Sequence, residues 1–164
     1  MSIASTPLRR LTLSAVVMAA YVAVMYLTQS FAFGAVQIRI ATALYALAYL
    51  FPFLTLPLAL ANSLSNLVMG GLGLLDIGGG FVAGLVTCLA LCLLRRLRLP
   101  FWTTAIPVLL GPALIVAIWL SALLHIPYTA MALSLLAGQL LPAIVGAGLV
   151  RAMESRLHLQ PSQS

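Results

Sequence analysis

Apolar residues fill the chain in five long stretches, 11–30, 40–70, 77–94, 104–124 and 130–151, parted by short polar, glycine-rich or arginine-rich breaks. Four of these are of a length that crosses a bilayer as one helix, which takes about 20 residues. The stretch 40–70 differs, because Pro52 and Pro57 interrupt it and its length cannot supply two full spans. It predicts two short helices, 40–53 and 56–70, hinged between the prolines. Short or broken spans at bilayer depth are tolerated where they line a cavity. The pattern therefore predicts an all-α integral membrane protein, a compact bundle of six transmembrane helices. Residues 1–152 would form its single membrane domain and 153–164 a flexible polar tail.

Composition agrees with the pattern. The chain is 63% hydrophobic and 6% charged, whereas soluble domains are about a quarter charged. A cleavable signal is a competing reading of the first stretch, since Ala32-Phe33-Gly34 resembles a small-residue cleavage site. Against it, the apolar run is longer than a signal core. Ala15, Ala19 and Ala23 also recur every fourth residue and line one helix face, the arrangement that lets another membrane helix approach closely.

Charge changes the picture at one place. Eight arginines, and no lysine, stand against Asp76 and Glu154. Clusters of arginine between apolar runs read as topology signals rather than as a nucleic-acid surface. Six spans put Arg9, Arg10, Arg95, Arg96, Arg98, Arg151 and Arg156 on one side. By the positive-inside rule that side is cytoplasmic, together with both termini. Arg39 and Asp76 fall on the other side, each at the edge of a span, and a charge beside hydrocarbon is a functional hypothesis by default. Packing of the short helices would bring the two together. An ion pair stapling two loops and a ligand-contacting pair are both compatible with that placement.

Polar residues gather on the same side. Asn62, Ser65 and Asn66 share one face of the third helix, Gln37 precedes Arg39, and Gln139 is the one amide of the sixth span. Six glycines among residues 70–80 predict a flexible external loop carrying Asp76, with the capacity to act as a lid. Trp119 and Tyr128 are suited to stack on a flat ligand, but their place near a span end favours interfacial anchoring, as it does for Trp102. His125 and His158 read as ordinary loop residues, and Gly84, Thr87, Cys88 and Cys92 as packing groups. No metal-ligand set, nucleophile elbow, acid pair or Walker sequence is present. The residues thus point away from an enzyme and from any cofactor, and toward a small helical binder of a neutral or lightly charged solute. A membrane assembly protein with no solute is the alternative.

The run Val36-Gln37-Ile38-Arg39-Ile40-Ala41-Thr42-Ala43-Leu44, the Asn66 helix and Gly71-Leu-Gly-Leu-Leu-Asp76-Ile77 resemble the QueT family, over about residues 10–152. That resemblance implies a substrate-binding S component of an energy-coupling-factor (ECF) importer in the bacterial plasma membrane. Its partners would be a transmembrane scaffold subunit and two ATPase subunits. In such proteins an alanine-rich face of the first helix docks the scaffold, a role that Ala15, Ala19 and Ala23 fit. The family is associated with 7-deazaguanine precursors of queuosine, and Gln37, Arg39, Asn66 and Asp76 stand at positions matching its motifs, with Asn62 on the same helix face. Thr42 stands where the family commonly carries glutamate, and Gln139 likewise stands for an acid. The loss of those carboxylates implies a neutral ring rather than an aminomethyl cation, or another micronutrient.

Overall fold

The computed structural model describes residues 6–32, 37–69 and 72–157. Val36, Gly34, Gly70, Gly71 and His158, singled out in the sequence, lie outside that set, as does the tail beyond Leu157. Apart from short connections and one single turn, the described residues lie in six helices, without strands. Four of them are long and apolar enough to cross a membrane and two are shorter.

Helix α1, Pro7–Leu27, starts where Thr6 accepts the Arg9 amide on its side-chain oxygen at 3.4 Å, with Pro7 in the first turn, where no amide hydrogen is needed. Arg9 and Arg10 therefore belong to the helix rather than to a leader. Val17, Tyr21 and Met25 form its buried stripe. Ala15, Ala19 and Ala23 lie on the exposed face. A single helical turn, Gln29–Ala32, follows.

Helix α2, Ile40–Leu50, is the centre of the bundle. Its first seven residues wind as a 3-10 helix, Ile40–Ala46, before Leu47–Leu50 relaxes to α. All its residues except Ile40 and Leu44 are buried, because the other five helices surround it. Small side chains allow this: a side chain at Gly146 would sit 3.0 Å from the Ala43 carbonyl and 3.2 Å from the Ala46 methyl. The 3-10 rise stretches eleven residues over about 20 Å.

The chain turns at Phe51, and Pro52–Leu54 leads into α3, Thr55–Val68. The hinge thus precedes Pro52 instead of lying between the two prolines. Pro57 is absorbed in the first turn of α3, where its missing amide hydrogen costs nothing. Helix α4 spans Leu74–Arg96 and begins three residues earlier than its apolar run. Asp76 is therefore not a loop residue: it sits in the first turn, where a carboxylate is favoured by the helix dipole. Gly73 caps that end at φ 92°, a left-handed conformation that suits glycine.

Helices α5, Ala105–Leu124, and α6, Tyr128–Leu157, complete the bundle. The last runs six residues past the end of its apolar stretch. At one end of the bundle Arg95 meets Glu154 at 3.3 Å and lies 5.2 Å from the Tyr49 ring centroid. Arg10 lies over Phe53 and Arg151 over Phe101 at the same end. The opposite end holds the start of α2, the end of α3 and the starts of α4 and α6.

Candidate functional site

Buried polar groups mark one end of the bundle as the candidate site end. The buried polar side chains among the described residues are Arg39, Thr42, Asn62, Ser65, Asn66, Asp76, Thr87, Thr103, Thr104 and Gln139. Thr87, Thr103 and Thr104 give their hydroxyls to carbonyls three or four residues back, and Ser65 does the same with Asn62. These four need nothing from other helices. The remaining six are held by bonds that cross between segments, and all six lie at the site end.

Arg39 is the hub. It is 5% exposed and stands just before the 3-10 turn of α2. One terminal nitrogen donates to Asn62 Oδ1 at 3.0 Å and to Asn66 Oδ1 at 2.5 Å. The two amides can both reach it because they are one turn apart on α3. Their nitrogens then point at α4: Asn62 Nδ2 donates to the Gly80 carbonyl at 2.7 Å and Asn66 Nδ2 to the Asp76 carbonyl at 3.0 Å. Gly80 makes this possible, since a side chain there would lie 2.7 Å from Asn66 Nδ2. The link between Arg39 and Asp76 thus runs through Asn66 to the main chain of Asp76.

The Asp76 carboxylate is engaged separately. Oδ1 accepts the indole N–H of Trp119 at 3.1 Å, and Oδ2 accepts the Leu72 amide at 3.3 Å. Trp119, which the sequence places at the membrane interface, thus joins the polar cluster. Its signal was positional: both it and Asp76 stand at the same ends of neighbouring spans. Tyr128, by contrast, is exposed and bonds the Leu114 carbonyl.

Thr42 and Gln139 close the other side. The Thr42 hydroxyl lies 2.7 Å from both the Arg39 carbonyl and Gln139 Oε1. One hydroxyl proton cannot serve two acceptors. Turning the Gln139 amide over resolves this, its NH₂ donating to Thr42 while Thr42 donates to Arg39. Gln139 is fully sequestered at 1% exposed. Beside it, Gly138 accepts the close approach of the Gln37 carbonyl, and Pro142 leaves the Gly138 carbonyl without its usual helical donor. Gln37 Oε1 is itself buried and has no hydrogen-bond partner, although an unsatisfied buried acceptor costs about 1–3 kcal/mol. All seven residues expected from the sequence therefore assemble at one end. The alanines Ala15, Ala19 and Ala23 stand apart, on the outside of α1.

The arrangement gathers donors and acceptors in a setting of low dielectric, where any group left unpaired is costly.

A family model for the QueT transporter matches residues 11–155. No curated protein and no solved structure matches the chain.

Proposed function

The chain belongs to the QueT transporter family, and from that premise we propose that it is the substrate-binding S component of an ECF-type importer. Its site end would take up a flat, neutral, nitrogen-rich solute, with a 7-deazaguanine precursor of queuosine as the first candidate. The ligand contacts proposed are Gln37, Arg39, Thr42, Asn62, Asn66, Asp76 and Gln139. The carrying observation is the convergence of two buried charges and three buried amides at one end of an otherwise apolar bundle. Such a cluster is costly in a membrane protein unless function requires it. A guanine-like edge presents adjacent N–H groups to a carboxylate and a carbonyl to a guanidinium, and Asp76 and Arg39 supply those two partners. The pair Thr42 and Gln139 keeps the rest of the site neutral, which favours a cyano or unsubstituted ring over an aminomethyl cation.

Transport would require a membrane scaffold subunit and two ATPases, since the chain carries no nucleotide-binding motif. The scaffold contact proposed is the exposed face Ala15, Ala19 and Ala23 of α1, which borders an apolar groove of about 490 Å³ between α1 and α3. Both termini would be cytoplasmic, on the side of the seven clustered arginines. The site would then face out of a bacterial plasma membrane.

The structural alternative, that the polar network only staples the helix ends, has support too: Arg39, Asn62 and Asn66 bond one another and α4. Calorimetric titration of Arg39→Ala with 7-cyano-7-deazaguanine separates the two. The transporter assignment expects a monodisperse protein with binding lost. Loss of the folded protein itself would favour the staple.

A further inference from the structure

We propose that Trp119 is the positioning residue of this site, holding the Asp76 carboxylate in the orientation that meets the ligand. The inference rests on the solute-binding reading given above.

Two separate features of Trp119 carry it. First, its indole N–H donates to Asp76 Oδ1 at 3.1 Å. Hydrogen bonds to a charged group are strong and directional, and a carboxylate has about four lone-pair sites. Trp119 and the Leu72 amide occupy one site on each oxygen, so each oxygen keeps capacity for a donor from the ligand. Trp119 thus fixes Asp76 without using up its acceptor capacity.

Secondly, the half-buried ring is seated directly on α4. At Gly79 a side chain would meet three indole atoms at 2.6 to 2.9 Å, so the indole lies flat against the bare backbone of α4. Glycine at that position is what lets the ring reach Asp76, one turn nearer the helix start. A side chain locked by packing and bonded to a ligand-contacting group is the usual construction of a precise site. An interfacial anchor requires neither the glycine nor the carboxylate.

The two features predict different responses. Trp119→Phe keeps most of the ring against Gly79 and removes only the N–H donor. Gly79→Ala leaves donor and acceptor intact, raises helix propensity, and pushes the indole off its seat. If Trp119 only fills space, Trp119→Phe is nearly silent.

The test is calorimetric titration of detergent-purified full-length protein with 7-cyano-7-deazaguanine, guanine and hypoxanthine, which lacks the exocyclic amine. Trp119→Phe and Gly79→Ala should each weaken guanine binding about tenfold or more, the range for a hydrogen bond to a charged group. Both should also narrow the preference for guanine over hypoxanthine. In an Asp76→Asn background, adding Trp119→Phe should cost little further affinity, because the residue acts through that carboxylate. Wild-type affinity and preference in both single variants would overturn the proposal. So would losses that simply add in the double variant. Failure of the wild-type protein to bind any of the three probes would instead remove the deazaguanine assignment, and this inference with it. Trp102→Phe, at the arginine end, makes Trp119 the sole tryptophan. Its emission should then shift on titration, and an unchanged spectrum during calorimetrically proven binding would count against the ligand site lying beside it.

Discussion

Two glycines two positions apart in α4 are expected to respond to the same substitution with opposite signs. Alanine in place of glycine within a helix contributes about 0.5–1 kcal/mol from backbone entropy alone. At Gly78 nothing lies within 4 Å of the added methyl, so Gly78→Ala should realise that gain. At Gly80 the methyl would lie 2.7 Å from Asn66 Nδ2 and 3.3 Å from Asn62 Nδ2. The two amides must then withdraw, weakening their bonds to the Asp76 and Gly80 carbonyls, at about 0.5–1.5 kcal/mol each. Their other ends hold Arg39, where a bond to a charged group contributes about 1.5–3 kcal/mol. The sum outweighs the propensity gain, for a net loss of about 1.5–5.5 kcal/mol. With about 2–4 °C per kcal/mol for a chain of this size, Gly80→Ala should lower the thermal midpoint by about 3–22 °C. Gly78→Ala should raise it by about 1–4 °C. Thermal scanning of both variants in one detergent, with size-exclusion profiles as the control for assembly, measures the difference. An increase for Gly80→Ala equal to that for Gly78→Ala would refute the claim that the asparagines are fixed against α4.

Other consequences follow from the same geometry. Asn66→Ala removes both the acceptor at 2.5 Å from Arg39 and the donor at 3.0 Å from Asp76, so about 2–4 kcal/mol of stability should be lost; Ser65→Ala, which breaks only a bond within its own helix, should cost about 1 kcal/mol or less in the same unfolding assay. Gly111→Ala drives a methyl into the Thr87 side chain, an overpacking worth about 1–3 kcal/mol, and a second change, Thr87→Ala, should recover most of the lost thermal midpoint. Glu154→Gln should shift the midpoint by about 2 °C or less, and less still at high salt, because its pair with Arg95 is partly exposed.

Much of the bundle was legible because hydrocarbon imposes a simple rule on sequence. Length and hydropathy located the four long helices, and the prolines signalled the two short ones. The hinge was misplaced because Pro57 is as acceptable in a first helical turn as in a loop, and only the contacts of Phe51 and Pro52 decide between them. Asp76 was expected in a loop because glycine and charge both suggest one. Yet Gly73 acts as the cap, and Asp76 follows as a first-turn acid. The face shared by Asn62, Ser65 and Asn66 was readable from spacing, and all three are buried. Their partners were not readable, since the bonds of Asn62 to Gly80 and of Gln139 to Thr42 depend on how helices distant in sequence are rotated. Trp119 escaped for a related reason. A tryptophan near a span end has an adequate explanation in the membrane interface, and only its seat on Gly79 and its bond to Asp76 separate it from an anchor.

The central claim, that the polar end of this bundle holds a solute, is met most directly by mass spectrometry of small molecules retained by the detergent-purified protein, compared with Asp76→Ala prepared in parallel. A flat nitrogen heterocycle of the 7-deazaguanine type, retained by the wild-type chain and absent from a folded Asp76→Ala variant, is the predicted result. Retention of the same compound by both proteins, or of none by either together with no calorimetric response to 7-deazaguanines, would contradict it.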